Sequence, residues 1–178
     1  VLIGSGVRTS NTQEQLKNFI TKNKIPLVYS SSSVDIYPSG NALSIGSIGS
    51  MGCSRQGAFT LQNSDLILVL GNRLPSILTG VDFCKFGRDA SIHIVDIDIN
   101  EHQKEGIKVD NFINADLQVF FEFFPKTKIT QNMKVWNTQV FHWKNLFSNM
   151  QNFSKTKHVD LYELSDSLQI VLNSFIIN

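Results

Sequence analysis

The chain is poor in the residues that build metal centres and disulfide frameworks. Its two cysteines, Cys53 and Cys84, lack CxxC spacing, and its four histidines, His93, His102, His142 and His158, lie far apart with no HxxxH or Cys/His pairing. No metal site is expected, and a reducing, cytoplasmic setting is the simplest reading of so little cysteine. Charge of one sign is missing too. Lys+Arg 16 against Asp+Glu 15 leaves a net charge of +1, so nothing steers the molecule to nucleic acid or to an anionic membrane. There is no signal peptide and no apolar run of transmembrane length. What is present is apolar: 178 residues with 42% hydrophobic and 10% aromatic content can bury one core and carry an appendage.

The pattern along the chain alternates short apolar strands with amphipathic helices. Val1 to Ile3 reads as the end of a buried strand, and Gly4-Ser5-Gly6 as a tight turn where backbone or ligand approaches closely. Residues 10 to 23 place Leu16, Phe19 and Ile20 on one face of a helix, with Ser10 or Asn11 as its N-cap. Pro26 to Ser30 is a second strand. The serine run Ser30 to Ser33 that follows is either a plain loop or a set of hydroxyls for a ligand. Asp35 to Leu43 is turn-like, and Gly46 to Gly52 reads as a small-residue loop opening a helix from about Met51 to Gln62, with Ala58, Phe59 and Leu61 toward the sheet. LILVL, closed by Gly71, is a wholly apolar strand, and NRLPSILTG after it is read as irregular because of Pro75. Ser91 to Asp98 is a strand whose Asp96 and Asp98 serve either as hydrogen-bond acceptors for a ribose or as helix caps. Asn111 to Asn114 closes the sheet, and Asp116 caps a helix through Phe120, Phe121, Phe123 and Phe124.

Such alternation predicts an α/β fold, a Rossmann-like doubly wound parallel sheet over residues 1–125. Residues 126–158 read as a linker with a helix, in which Trp136, Val140, Trp143, Leu146 and Phe147 pack onto a neighbouring domain. Residues 159–178 read as an opening helix of an absent domain, with Leu161, Leu164, Leu168, Val171 and Leu172 on its apolar face. Beginning on a buried strand and ending on SFIIN, the chain reads as a piece of a longer polypeptide.

Five elements in one order, IGSG, KIPLVYS, SIGSIGSMG, FTLQNSDLILVLGNRL followed by TG, and IHIVDIDINE, resemble the central domain of thiamine diphosphate dependent enzymes of the acetolactate synthase type. The resemblance runs from about Val1 to Phe124. It implies a parent enzyme that decarboxylates 2-keto acids and passes the product to an acceptor, with thiamine diphosphate as electron sink. The activating glutamate and the magnesium and diphosphate site, a GDG motif followed by Asn, belong to domains on either side. This chain has no GDG, so by itself it should catalyse nothing. In the parent it implies a homo-oligomer as partner, and transferase or lyase chemistry.

The family's central domain holds FAD in some members, an adenine nucleotide in others and nothing in many. Carried over, the cofactor-binding positions are Gly4, Ser5 and Gly6, Ser30 and Ser31, Ile48, Gly49, Ser50, Met51 and Gly52, Gly71 and Arg73, and Asp96, Ile97 and Asp116. This chain departs from the FAD-type pattern, with Pro75 and Ile77 where an Asp and a second Arg are common, Met51 for a His, and Ala115 for the Gly before Asp116. Weak or absent FAD affinity is the expectation. GSGVR also lacks the third glycine of a dinucleotide fingerprint. Two further readings stand beside the enzyme piece: a free-standing nucleotide-binding or complex-forming subunit of similar fold, and a structural spacer between catalytic domains.

Overall fold

A computed structural model of the chain describes residues 1–103, 106, 108–124, 133–147 and 159–176. Its centre is a sheet of strands β1 (Leu2–Ile3), β2 (Leu27–Ser30), β3 (Ser44–Ile48), β4 (Leu66–Leu70), β5 (Ser91–Asp96) and β6 (Asn111–Asn114). They lie in the order β3-β2-β1-β4-β5-β6, every pair parallel. The doubly wound parallel sheet expected from the alternation is thus present. Burial on both faces explains why the central strands read as unbroken apolar runs. The pleat sends Leu2, Val28, Val69 and Ile94 into one core, and their neighbours Ile3, Leu27, Leu70 and Val95 into the other.

Helices close each face. On one side α1 (Gly6–Thr9), α2 (Gln13–Asn23) and α5 (Leu117–Phe123) contribute Val7, Leu16, Phe19, Ile20, Leu117, Phe120 and Phe121. On the other, α3 (Arg55–Gln62) and α6 (Lys134–Leu146) contribute Leu61 and the fully buried Val140, and α4 (Ser76–Thr79) adds Leu78. A last helix, α7 (Leu161–Ile176), falls in a separate compact unit, Asn145–Asn178, while the sheet unit runs Val1–Lys144.

Several local expectations need correction. The helix read over 10 to 23 begins at Gln13 with Thr12, not Ser10 or Asn11, as its N-cap, and a separate short helix, α1, precedes it, ended where Ser10 and Thr12 turn their hydroxyls back onto Val7 O. The first part of the small-residue stretch belongs to a strand, β3, whose Gly46 and Ser47 hide it from any propensity rule. Helix α3 begins at Arg55, not Met51, since Ser54 Oγ accepts the Gly57 N–H and caps it. It turns Gly57, Thr60 and Leu61 inward, and Phe59 instead packs edge-on against Trp143 of α6. Pro75 does not leave its segment irregular: fixed at φ −67, it starts α4, with its carbonyl accepting from Leu78 and Thr79.

The 126–158 stretch lies outside the described residues except for 133–147. There α6 packs on the sheet unit itself. Trp136, Phe141 and Trp143 lie against the core cluster, Asn137 Nδ2 donates to Lys24 O at 2.8 Å, and Lys144 Nζ donates to Asn41 O and Ser44 O at 2.8 and 2.6 Å. Burial pushes the Lys144 ammonium below its ordinary pKa.

Candidate functional site

Because all the strands are parallel, the loops that follow them share one rim. The order of the sheet reverses between β1 and β4, the switch point at which such sheets open a crevice. A crevice of about 730 Å³ lies on that rim, a volume in the range of small-molecule sites. Of the residues carried over from the family, Gly4, Ser5, Gly6, Ser30, Ser31, Ile48, Gly49, Met51, Gly71, Arg73, Asp96, Ile97 and Asp116 line it. Ser50 and Gly52 do not. The Ser50 N–H and Oγ both bond Ile77 O, at 2.7 and 2.9 Å, and Gly52 O accepts the Ser47 hydroxyl, so both residues hold the loop instead.

The floor is made where the first and fourth loops touch. Gly4 N–H donates to Leu70 O and Gly6 N–H to Gly71 O, both at 3.0 Å, and Gly71 N–H donates to Val95 O at 3.1 Å. A Cβ on Gly4 would stand 2.3 Å from Gly71 O. Gly71 itself sits at φ 56, in left-handed backbone that favours glycine. Buried Asn72 pins the junction, its amide donating to Ile3 O at 3.2 Å while its Oδ1 accepts the Leu74 N–H at 2.9 Å. The tight turn was legible, but its cause is loop meeting loop. Asn72 was missed, and its only signal was a polar residue directly after the strand-closing glycine.

The serine run is ordered. Ser31–Ser33 form a 3-10 turn in which Ser30 Oγ lies 2.9 Å from both Ser32 Oγ and Ser33 Oγ, and Ser33 Oγ donates to Ile3 O at 3.2 Å. Arg8 ties this loop to α1 through Ser32 O and the Asp35 carboxylate, and that hydrogen bond holds Asp35 below the usual carboxylate range. Of the alternatives for the acidic residues, capping describes Asp98 and Asp116, whose Oδ1 atoms accept Asn100 N–H and Gln118 N–H at 3.0 and 2.7 Å. Asp96 Oδ1 accepts the Asp98 N–H at 3.0 Å. All three still face the crevice, together with Glu101, which lies 3.9 Å from Arg73.

The site is therefore uneven. The loops after β1, β2 and β3 offer glycine, hydroxyls and Met51, whereas those after β4, β5 and β6 bring one arginine and four carboxylates. Among the described residues no general base sits beside a nucleophile there, and no group of His, Cys, Asp and Glu could hold a metal ion. Cys84 is exposed, with Sγ 2.7 Å from Asp82 Oδ1, and that contact pushes its thiol up rather than activating it. A second groove, about 810 Å³, opens on the amino-terminal rim between Phe19, Leu66, Phe120 and Trp136, and its lining is chiefly apolar.

The family model of the thiamine pyrophosphate enzyme, central domain, matches residues 1–123. The chain belongs to that family. The chain is 26% identical over 160 residues to the acetolactate synthase large subunit of Buchnera aphidicola subsp. Schizaphis graminum, covering 88% of the chain and 28% of that protein. It is 35% identical over 97 residues to the acetolactate synthase large subunit of Corynebacterium glutamicum, covering 54% of the chain and 15% of that protein. The chain thus spans little more than a quarter of the first of these relatives and less of the second. Among the described residues no helix is long and apolar enough to cross a membrane.

Proposed function

We propose that the chain is the central domain of an acetolactate synthase-like, thiamine diphosphate dependent enzyme that decarboxylates 2-keto acids and joins the product to a second carbonyl. The observation that carries this is the family match over residues 1–123, on a sheet whose glycine and serine bends meet at one rim. Thiamine diphosphate, held with Mg²⁺, would supply the electron sink. Nothing in the crevice suits that pair: it has no metal-binding group among the described residues, and the sequence has no GDG. The reading therefore puts the transferase or lyase chemistry in parts of a longer, homo-oligomeric, cytoplasmic enzyme, and leaves this chain non-catalytic. What its own residues do is hold a rigid floor, through Gly4, Gly6, Gly71 and Asn72.

FAD is the family's other candidate for this domain, and the crevice fits its diphosphate badly. The amides of Gly4 and Gly6, which a pyrophosphate would need, are engaged by Leu70 O and Gly71 O. Arg73, the one cation in the lining among the described residues, stands beside Glu101.

The test is the complete reading frame. Purified with thiamine diphosphate and Mg²⁺, its product should release carbon dioxide from pyruvate or another 2-keto acid and form a 2-hydroxy ketone, while the polypeptide 1–178 stays inert. A complete protein that binds no thiamine diphosphate would overturn the proposal, and a reading frame ending at Asn178 would favour the free-standing subunit.

A further inference from the structure

We draw no further inference here: the strongest candidate, the apolar groove on the amino-terminal rim between Phe19, Leu66, Phe120 and Trp136, carries nothing because no feature of the structure shows what covers it.

Discussion

Replacing Gly4 by Ala tests the junction on which the crevice floor depends. The added Cβ would lie 2.3 Å from Gly71 O and 2.7 Å from both Asn72 Cα and Cβ, and the first two of these atoms are backbone that no rotamer change can move aside. Relief requires β1 and β4 loops to separate, which strains the Gly4 N–H to Leu70 O and Gly6 N–H to Gly71 O bonds. Forcing a methyl into packed backbone costs about 1–3 kcal/mol, and each weakened hydrogen bond about 1 kcal/mol. A total of about 3–5 kcal/mol lowers Tm by roughly 10 °C or more for a domain of this size. Gly40→Ala is the matched control: nothing stands within 4 Å of its Cβ, so it should leave Tm unchanged or raise it slightly. Thermal unfolding followed by circular dichroism reads both. A Gly4→Ala protein that melts within about 2 °C of the parent, at a scale where 1 kcal/mol is worth several degrees, would refute the argument that the two loops touch through glycine.

Three further outcomes follow from particular groups. Val140→Asp puts an unpaired charge into a fully buried position of α6 and should cost several kcal/mol in a urea titration, about the effect of burying an ion without a partner; a small effect would mean that α6 does not pack on the sheet. Asp116→Ala removes the cap of α5 and should destabilise by ~1 kcal/mol, with Asp116→Asn close to neutral by the same assay. In a polypeptide that begins at Val1, the buried amino terminus donates to Pro26 O, and burial lowers its pKa from 8.0 to about 5. Because the folded state disfavours the ammonium, its penalty is absent above pH 8, grows as pH falls toward 5 and is constant below that. Stability measured from pH 8 to 5 should therefore fall more steeply than in a polypeptide extended before Val1, where that nitrogen is an amide; equal slopes would contradict it.

How legible this was depended on which physics each segment used. LILVL and SIHIVD declared themselves because both faces of a central parallel strand are buried. β3 was hidden, since Gly46 and Ser47 carry no strand preference and only its neighbours on the sheet reveal it. Strand ends followed by glycine, serine or aspartate located nearly all the crevice loops, because parallel order forces those loops to one rim. The sequence could not say what each small residue does there. Gly4 and Gly71 meet each other, Ser33 bonds Ile3 O, and Asn72 bridges two loops some seventy positions apart in sequence. Those are contacts between distant segments, invisible to any local window. Thr9, Ser10, Ser32, Leu78 and Glu101 joined the lining for the same reason.

The parallel order β3-β2-β1-β4-β5-β6 underlies the crevice, and inter-strand proton contacts in isotope-labelled protein test it most directly. Leu2 and Ile3 should show amide-to-α-proton contacts of the parallel kind to the neighbours of Val28 and Tyr29 on one side, and of Val69 and Leu70 on the other. Close α-to-α proton pairs between any of these strands, the mark of antiparallel pairing, would scatter the loops over opposite rims and contradict the account.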